Sequence, residues 1–136
     1  MVSLDMMVSD LRTWIRSLPD GAANIEEDRR EHEHFVKLKP REPSAAGITV
    51  SLGADGTFEV FAGKAFRSGE LPYDRDTLLE ACDAVSRGRM TEETWELFGR
   101  VLRAQATIQK SSGNWYNRKL GPPVGHHSHH RYAPWF

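Results

Sequence analysis

Cysteine is nearly missing from this chain: Cys82 is the only one. That excludes an intramolecular disulfide framework and fits a reducing compartment. Long apolar runs are missing too. No stretch approaches the roughly 20 residues that a membrane-spanning helix needs. The start, Met1-Val2-Ser3-Leu4-Asp5-Met6-Met7, lacks the basic residues and unbroken apolar stretch of a secretory signal. These features predict a soluble, cytoplasmic protein with no membrane partner. Acidic residues are absent from the last part of the chain, where Glu96 is the final carboxylate side chain.

What is present is an ordinary globular composition. With 39% hydrophobic and 27% charged residues in 136, the chain is long enough for one domain over 1–136 and too apolar for general disorder. The net charge of −1 conceals a gradient. Segments 1–36 and 69–100 each carry eight acids and four bases, whereas 101–136 carry five bases and no acid. An asymmetry of this kind bears on partners rather than on fold.

Apolar residues Leu4, Met7, Val8, Leu11, Trp14, Ile15 and Leu18 recur at helical spacing behind a capping Ser3. They predict an amphipathic helix that Pro19-Asp20-Gly21 ends. Segment 20–34 is crowded with charge and reads as a solvated loop. Phe35-Val36-Lys37-Leu38 reads as a short strand, and 39–47 as a linker held open by Pro40 and Pro43. Residues 48–62 alternate apolar and polar. A three-residue loop, Ala54-Asp55-Gly56, sets Leu52 opposite Phe58, Val50 opposite Val60 and Ile48 opposite Ala62, so one face becomes core. Ala65-Phe66-Arg67 adds a third strand.

Two helices are expected next. The first runs from a cap at Asp74 or Asp76 to about Arg87, with Leu78, Leu79, Cys82 and Val85 inward. The second runs from about Glu92 to Lys110 behind Thr91, with acids early, bases late and Gly99 accommodated by close packing. Residues 111–136 read as an irregular basic, aromatic and His-rich tail. The predicted class is therefore α+β: a short antiparallel sheet packed by an N-terminal helix and a C-terminal helix pair.

No catalytic motif stands out. There is no His-Glu-x-x-His, no Gly-x-Ser-x-Gly, and the spacing around Gly56, Gly63 and Lys64 is not that of a phosphate loop. Cys82 lies on an apolar helical stripe, where cysteine acts as a small hydrophobe.

The cluster His126-His127-Ser128-His129-His130 is the sharpest local feature. Imidazoles two or three residues apart suit zinc, copper or nickel. His127, His129 and His130 are the candidate metal ligands, although structural zinc sites usually draw on cysteine. Trp115, Tyr116, Arg118 and Lys119 set aromatic faces beside cations, the combination that stacks bases and neutralises phosphates. With Arg131, Tyr132 and Trp135 they form the candidate partner-binding set, since aromatic and Arg side chains anchor interfaces. The alternative for Trp135 and its neighbours is that they fold back and close the core.

Three functions follow. The first is a small non-enzymatic binding protein that meets a protein partner, or a second copy of itself, and needs no cofactor. The second is a nucleic-acid-binding module using the acid-free C-terminal region. The third is a metal-dependent enzyme using zinc or another divalent ion at the histidine cluster.

Overall fold

Ser3 opens the first helix, α1 (Leu4–Arg16), its hydroxyl accepting the Met6 N–H at 3.1 Å. The computed structural model describes residues 2–136. Leu4, Met7, Val8 and Leu11 are buried along one stripe of α1. A hairpin pairs β3 (Ile48–Gly53) with β4 (Thr57–Ala62). Its register sets Leu52 against Phe58, Val50 against Val60 and Ile48 against Ala62. Gly56, at φ +84°, supplies the left-handed residue that this loop requires. The second helix, α2 (Arg75–Ser86), is capped by Asp74, which accepts the Thr77 N–H at 3.2 Å.

The rest departs from the expected α+β arrangement. The charged segment 20–34 is largely strand: β1 (Ala23–Arg29) pairs antiparallel with β2 (Glu33–Pro40). β1 buries almost nothing of its own, so it is held by its ladder to β2, which buries Val36 and Leu38, and by matched charges. Glu26 lies opposite Lys37, and Arg12 of α1 grips Glu27 through two bonds of 3.1 and 3.2 Å. Charge on an edge strand also discourages further pairing. β5 (Phe66–Arg67) and β6 (Leu71–Pro72) both pair with β4, completing a six-stranded sheet in the order β1-β2-β3-β4-β5.

The C-terminal helix pair does not exist. Residues assigned to its second member form β7 (Met90–Leu97) and β8 (Arg100–Lys110), an antiparallel hairpin turning at Phe98 and Gly99. Both turn residues have positive φ, +53° and +74°, which no right-handed helix contains. Burial alternates as a strand demands: Ala104, Ala106 and Ile108 are inside, while Gln105, Thr107 and Gln109 are more exposed. The apolar residues that seemed to surround a helix are spread over two strands. Nor is 111–136 an irregular tail, because it contains β9 (Gly113–Lys119) and β10 (His126–Arg131). These flank the hairpin in a second sheet of order β10-β7-β8-β9.

One apolar core joins both sheets and both helices, with α1 on β2 and β3 and α2 on β8. The seam is closed by polar contacts. Glu92 of β7 is 2% exposed and accepts backbone N–H groups of Lys64 and Ala65 at 2.8 and 2.7 Å, together with the Tyr132 hydroxyl. Trp135 is 3% exposed, its indole N–H donating to the Ala46 carbonyl at 2.8 Å and its ring edge-on to Trp14. Among the described residues no helix is long and apolar enough to cross a membrane.

Candidate functional site: the open face of the second sheet

Strand alternation divides every residue of the second sheet between a core face and a solvent face. Met90, Glu92 and Thr94 of β7 point inward; Thr91, Glu93 and Trp95 point out. On β8, β9 and β10 the outward residues are Arg103, Gln105 and Thr107, then Tyr116 and Arg118, then His127, His129 and Arg131. Register aligns them in three rows across the sheet. Arg131, Thr91, Thr107 and Tyr116 form one; His129, Glu93, Gln105 and Arg118 the next; His127, Trp95 and Arg103 the third. Neither helix covers this face.

Its chemistry is cationic and flat. Three arginines stand on it against one carboxylate, Glu93, and that carboxylate is bonded to the His127 Nε2 at 2.6 Å. The His127 ring stacks on Trp95 at 4.4 Å and 7° between planes, and the Arg103 guanidinium sits 5.1 Å from the Trp95 ring centre. Tyr116 is 58% exposed. Between the rows lies a shallow depression of about 370 Å³ lined by Thr91, Glu93, Gln105, Thr107, His129 and Arg131. Four strands spaced about 4.8 Å apart give a platform near 14 Å across.

The structure thus separates the residues that the sequence grouped. Tyr116, Arg118, Arg131, His127 and His129 share the open face. Trp115 and Lys119 lie on the other side of β9: Trp115 packs edge-on to Phe66 at 5.4 Å, and Lys119 donates to the Val101 carbonyl at 2.7 Å. Tyr132 belongs to the seam, where burial and the neighbouring Glu92 raise its hydroxyl pKa. Trp135 is a core residue. His130 points inward from β10 and meets the Tyr132 ring at 4.3 Å, so of the three histidines named as ligands only His127 and His129 are together. Glu93, Trp95 and Arg103 lie on strands rather than on the expected helix, so the helical pattern does not group them with this face. The period-two burial through 90–95 and 103–109 is the signal that identifies them.

Other concavities have a different character. A larger one, about 700 Å³, lies at the end of the first sheet and is walled by Glu31, Glu33, Asp55, Glu59 and Glu70 beside Arg30. It is an acidic cleft, whose sign opposes that of the open face. The Cys82 thiol is fully buried, and burial together with the charge of Asp83 pushes its pKa up to about 12. Set against known proteins, the chain matches no family model, no curated protein and no solved structure.

Proposed function

We propose that this protein is a non-enzymatic binding protein whose open four-stranded face takes up single-stranded nucleic acid. The observation that carries this reading is the register of the second sheet. It gathers Arg103, Arg118 and Arg131 with the rings of Tyr116 and His129 on one surface that neither helix covers, holding a single carboxylate; Trp95 lies in the same row beneath His127 and Arg103. A sheet with exposed rings stacks two or three unpaired bases while cations at its margins neutralise phosphates. The acid-free sequence after Glu96 leaves β8, β9 and β10 without any acidic side chain to repel a polyanion. The single, buried Cys82 suits a reducing cytoplasm, where such a ligand is available.

Fluorescence anisotropy of a labelled oligothymidylate tests the reading. With about three phosphates neutralised, the log–log slope of affinity against salt is expected near −2. A duplex of the same length binds more weakly, because its bases are already stacked. No binding at low salt, or binding indifferent to salt, overturns the reading.

A second reading is docking of a partner protein, or of a second copy, at the far tip of the same sheet. There Phe98 is 98% exposed and its chain neighbour Leu97 41% exposed, while Leu120 and Val124, between β9 and β10, are 84 and 47% exposed. Large apolar side chains left in water mark interaction sites where they gather into one patch. Sedimentation of wild type against Phe98→Ser distinguishes it, since a self-associating tip gives a concentration-dependent species that the variant lacks.

A further inference from the structure

We infer that Glu93, His127 and His129 form a binding site for one divalent transition-metal ion, best matched to zinc, on the outer surface of β7 and β10. The site lies on the same open face and shares His129 with the nucleic-acid reading, but it rests on observations of its own.

Histidines two apart on a strand project from one face, and the antiparallel register places His129 directly across from Glu93 and His127 across from Trp95. One donor atom from each of Glu93, His127 and His129 lies within 4.8 Å of the other two. The His127 Nε2 is 2.6 Å and the His129 Nε2 3.5 Å from the same Glu93 oxygen, Oε1. Bonds of 2.0–2.1 Å in a tetrahedral zinc site put ligand atoms about 3.3 Å apart. The 3.5 Å contact is already close to that separation, and the 2.6 Å contact has to open by less than an ångström.

The surroundings favour this use. The His127 ring is fixed by its stack on Trp95, and the His127–His129 ring centres are 5.2 Å apart. Glu93 is partly shielded, its side chain 27% exposed, which strengthens its field relative to a fully solvated acid. Two imidazoles with one carboxylate form a borderline donor set that suits zinc, nickel or copper rather than calcium or magnesium, which take oxygen ligands. Three protein ligands leave a fourth position for water or for an outside ligand. Arg131 and Arg103 share the face, and their charge opposes the bound cation. His130 does not contribute, because it points to the opposite side of β10.

Isothermal titration with Zn²⁺ at neutral pH, on the full chain, tests the site. One ion per chain is expected, with Glu93→Gln and His129→Ala each weakening binding at least about tenfold and His130→Ala leaving it unchanged. Because these side chains are at the surface, each variant should keep the wild-type circular dichroism and Tm. On wild-type protein, independently of any variant, nitrogen NMR of the histidine rings should show zinc shifting Nε2 of His127 and His129 and leaving His34 alone. The inference is overturned if wild type takes up no zinc. Equal weakening by His130→Ala and His129→Ala, indifference to Glu93→Gln, or ring shifts spread over all the C-terminal histidines also overturn it.

Discussion

At the scale of single residues, Glu92 is the side chain on which the union of the two sheets depends. Its two oxygens receive the N–H groups of Lys64 and Ala65 and the Tyr132 hydroxyl, so no cation is needed to hold a carboxylate at 2% exposure. Glu92→Gln puts an N–H donor where one oxygen accepted. The stranded backbone donor should cost about 1–3 kcal/mol, read as a Tm lower by several degrees. Gly63 is part of the same device. It has φ +59°, and a Cβ there would stand 2.6 Å from the Glu92 carboxylate and 2.9 Å from the Tyr132 hydroxyl. Gly63→Ala should therefore destabilise through both backbone strain and collision. Glu27 gives a pH signature. Its hydrogen bond from Arg12, and then that from His34, hold its carboxyl below the usual carboxylate range against the opposing effect of burial. A lowered folded pKa means stability that is present above the ordinary carboxylate value and lost as pH falls through the folded one. Glu27→Gln should flatten the acid limb of a urea-unfolding series while lowering stability at neutral pH. An unchanged acid limb would deny the ion pair that role.

At the scale of elements, the β7–β8 hairpin is the most informative. Its two-residue turn needs positive φ at both positions, a geometry that Asn-Gly satisfies at little cost. The chain uses Phe98-Gly99, with Phe98 strained and wholly exposed. Phe98→Asn should raise the Tm, by about 0.5–1 kcal/mol of stability, and a lower Tm would show that Phe98 is held by contacts with its neighbours. The choice of phenylalanine also explains why the hairpin was hidden. Asn-Gly would have announced a turn, whereas Phe-Gly between amphipathic flanks, with acids before and bases after, imitates a helix and its dipole preferences. The β3–β4 hairpin was legible to the level of register, because Asp55-Gly56 marks the turn and only one pairing keeps Ile48, Val50 and Leu52 on a common face. Strand β1 was illegible for another reason. Six of its seven residues are exposed, so it carries no burial pattern, and its partners, Lys37 opposite and Arg12 on α1, are remote in sequence. The helices α1 and α2 were legible because stripe, cap and stop signal agreed.

At the scale of the molecule, the charge gradient along the sequence becomes a division of surface. Acids wall the large cleft at the end of the first sheet, and arginines stand on the open face of the second. Five residues of the candidate site, Tyr116, Arg118, Arg131, His127 and His129, are legible in the sequence from their chemistry alone. Glu93, Trp95 and Arg103 came to light only through register, because pairing between strands is a non-local property that no local spacing encodes. Trp135 illustrates the converse. An aromatic residue near the end of the chain resembles an interface anchor, yet it seals the core between α1, α2 and the loop at Ala46. Trp135→Ala should cost about 3–5 kcal/mol, read as a lower midpoint in urea unfolding. The central claim is that the open face of β10-β7-β8-β9 is the binding surface. The most direct test is amide and side-chain NMR of the full chain titrated with oligothymidylate. Shifts are expected on the outward residues Trp95, Arg103, Gln105, Tyr116, Arg118, His129 and Arg131, with the inward Ala104, Ala106 and Ile108 following only weakly. Shifts centred on the first sheet or on α1, or an unchanged spectrum at low salt, would contradict it.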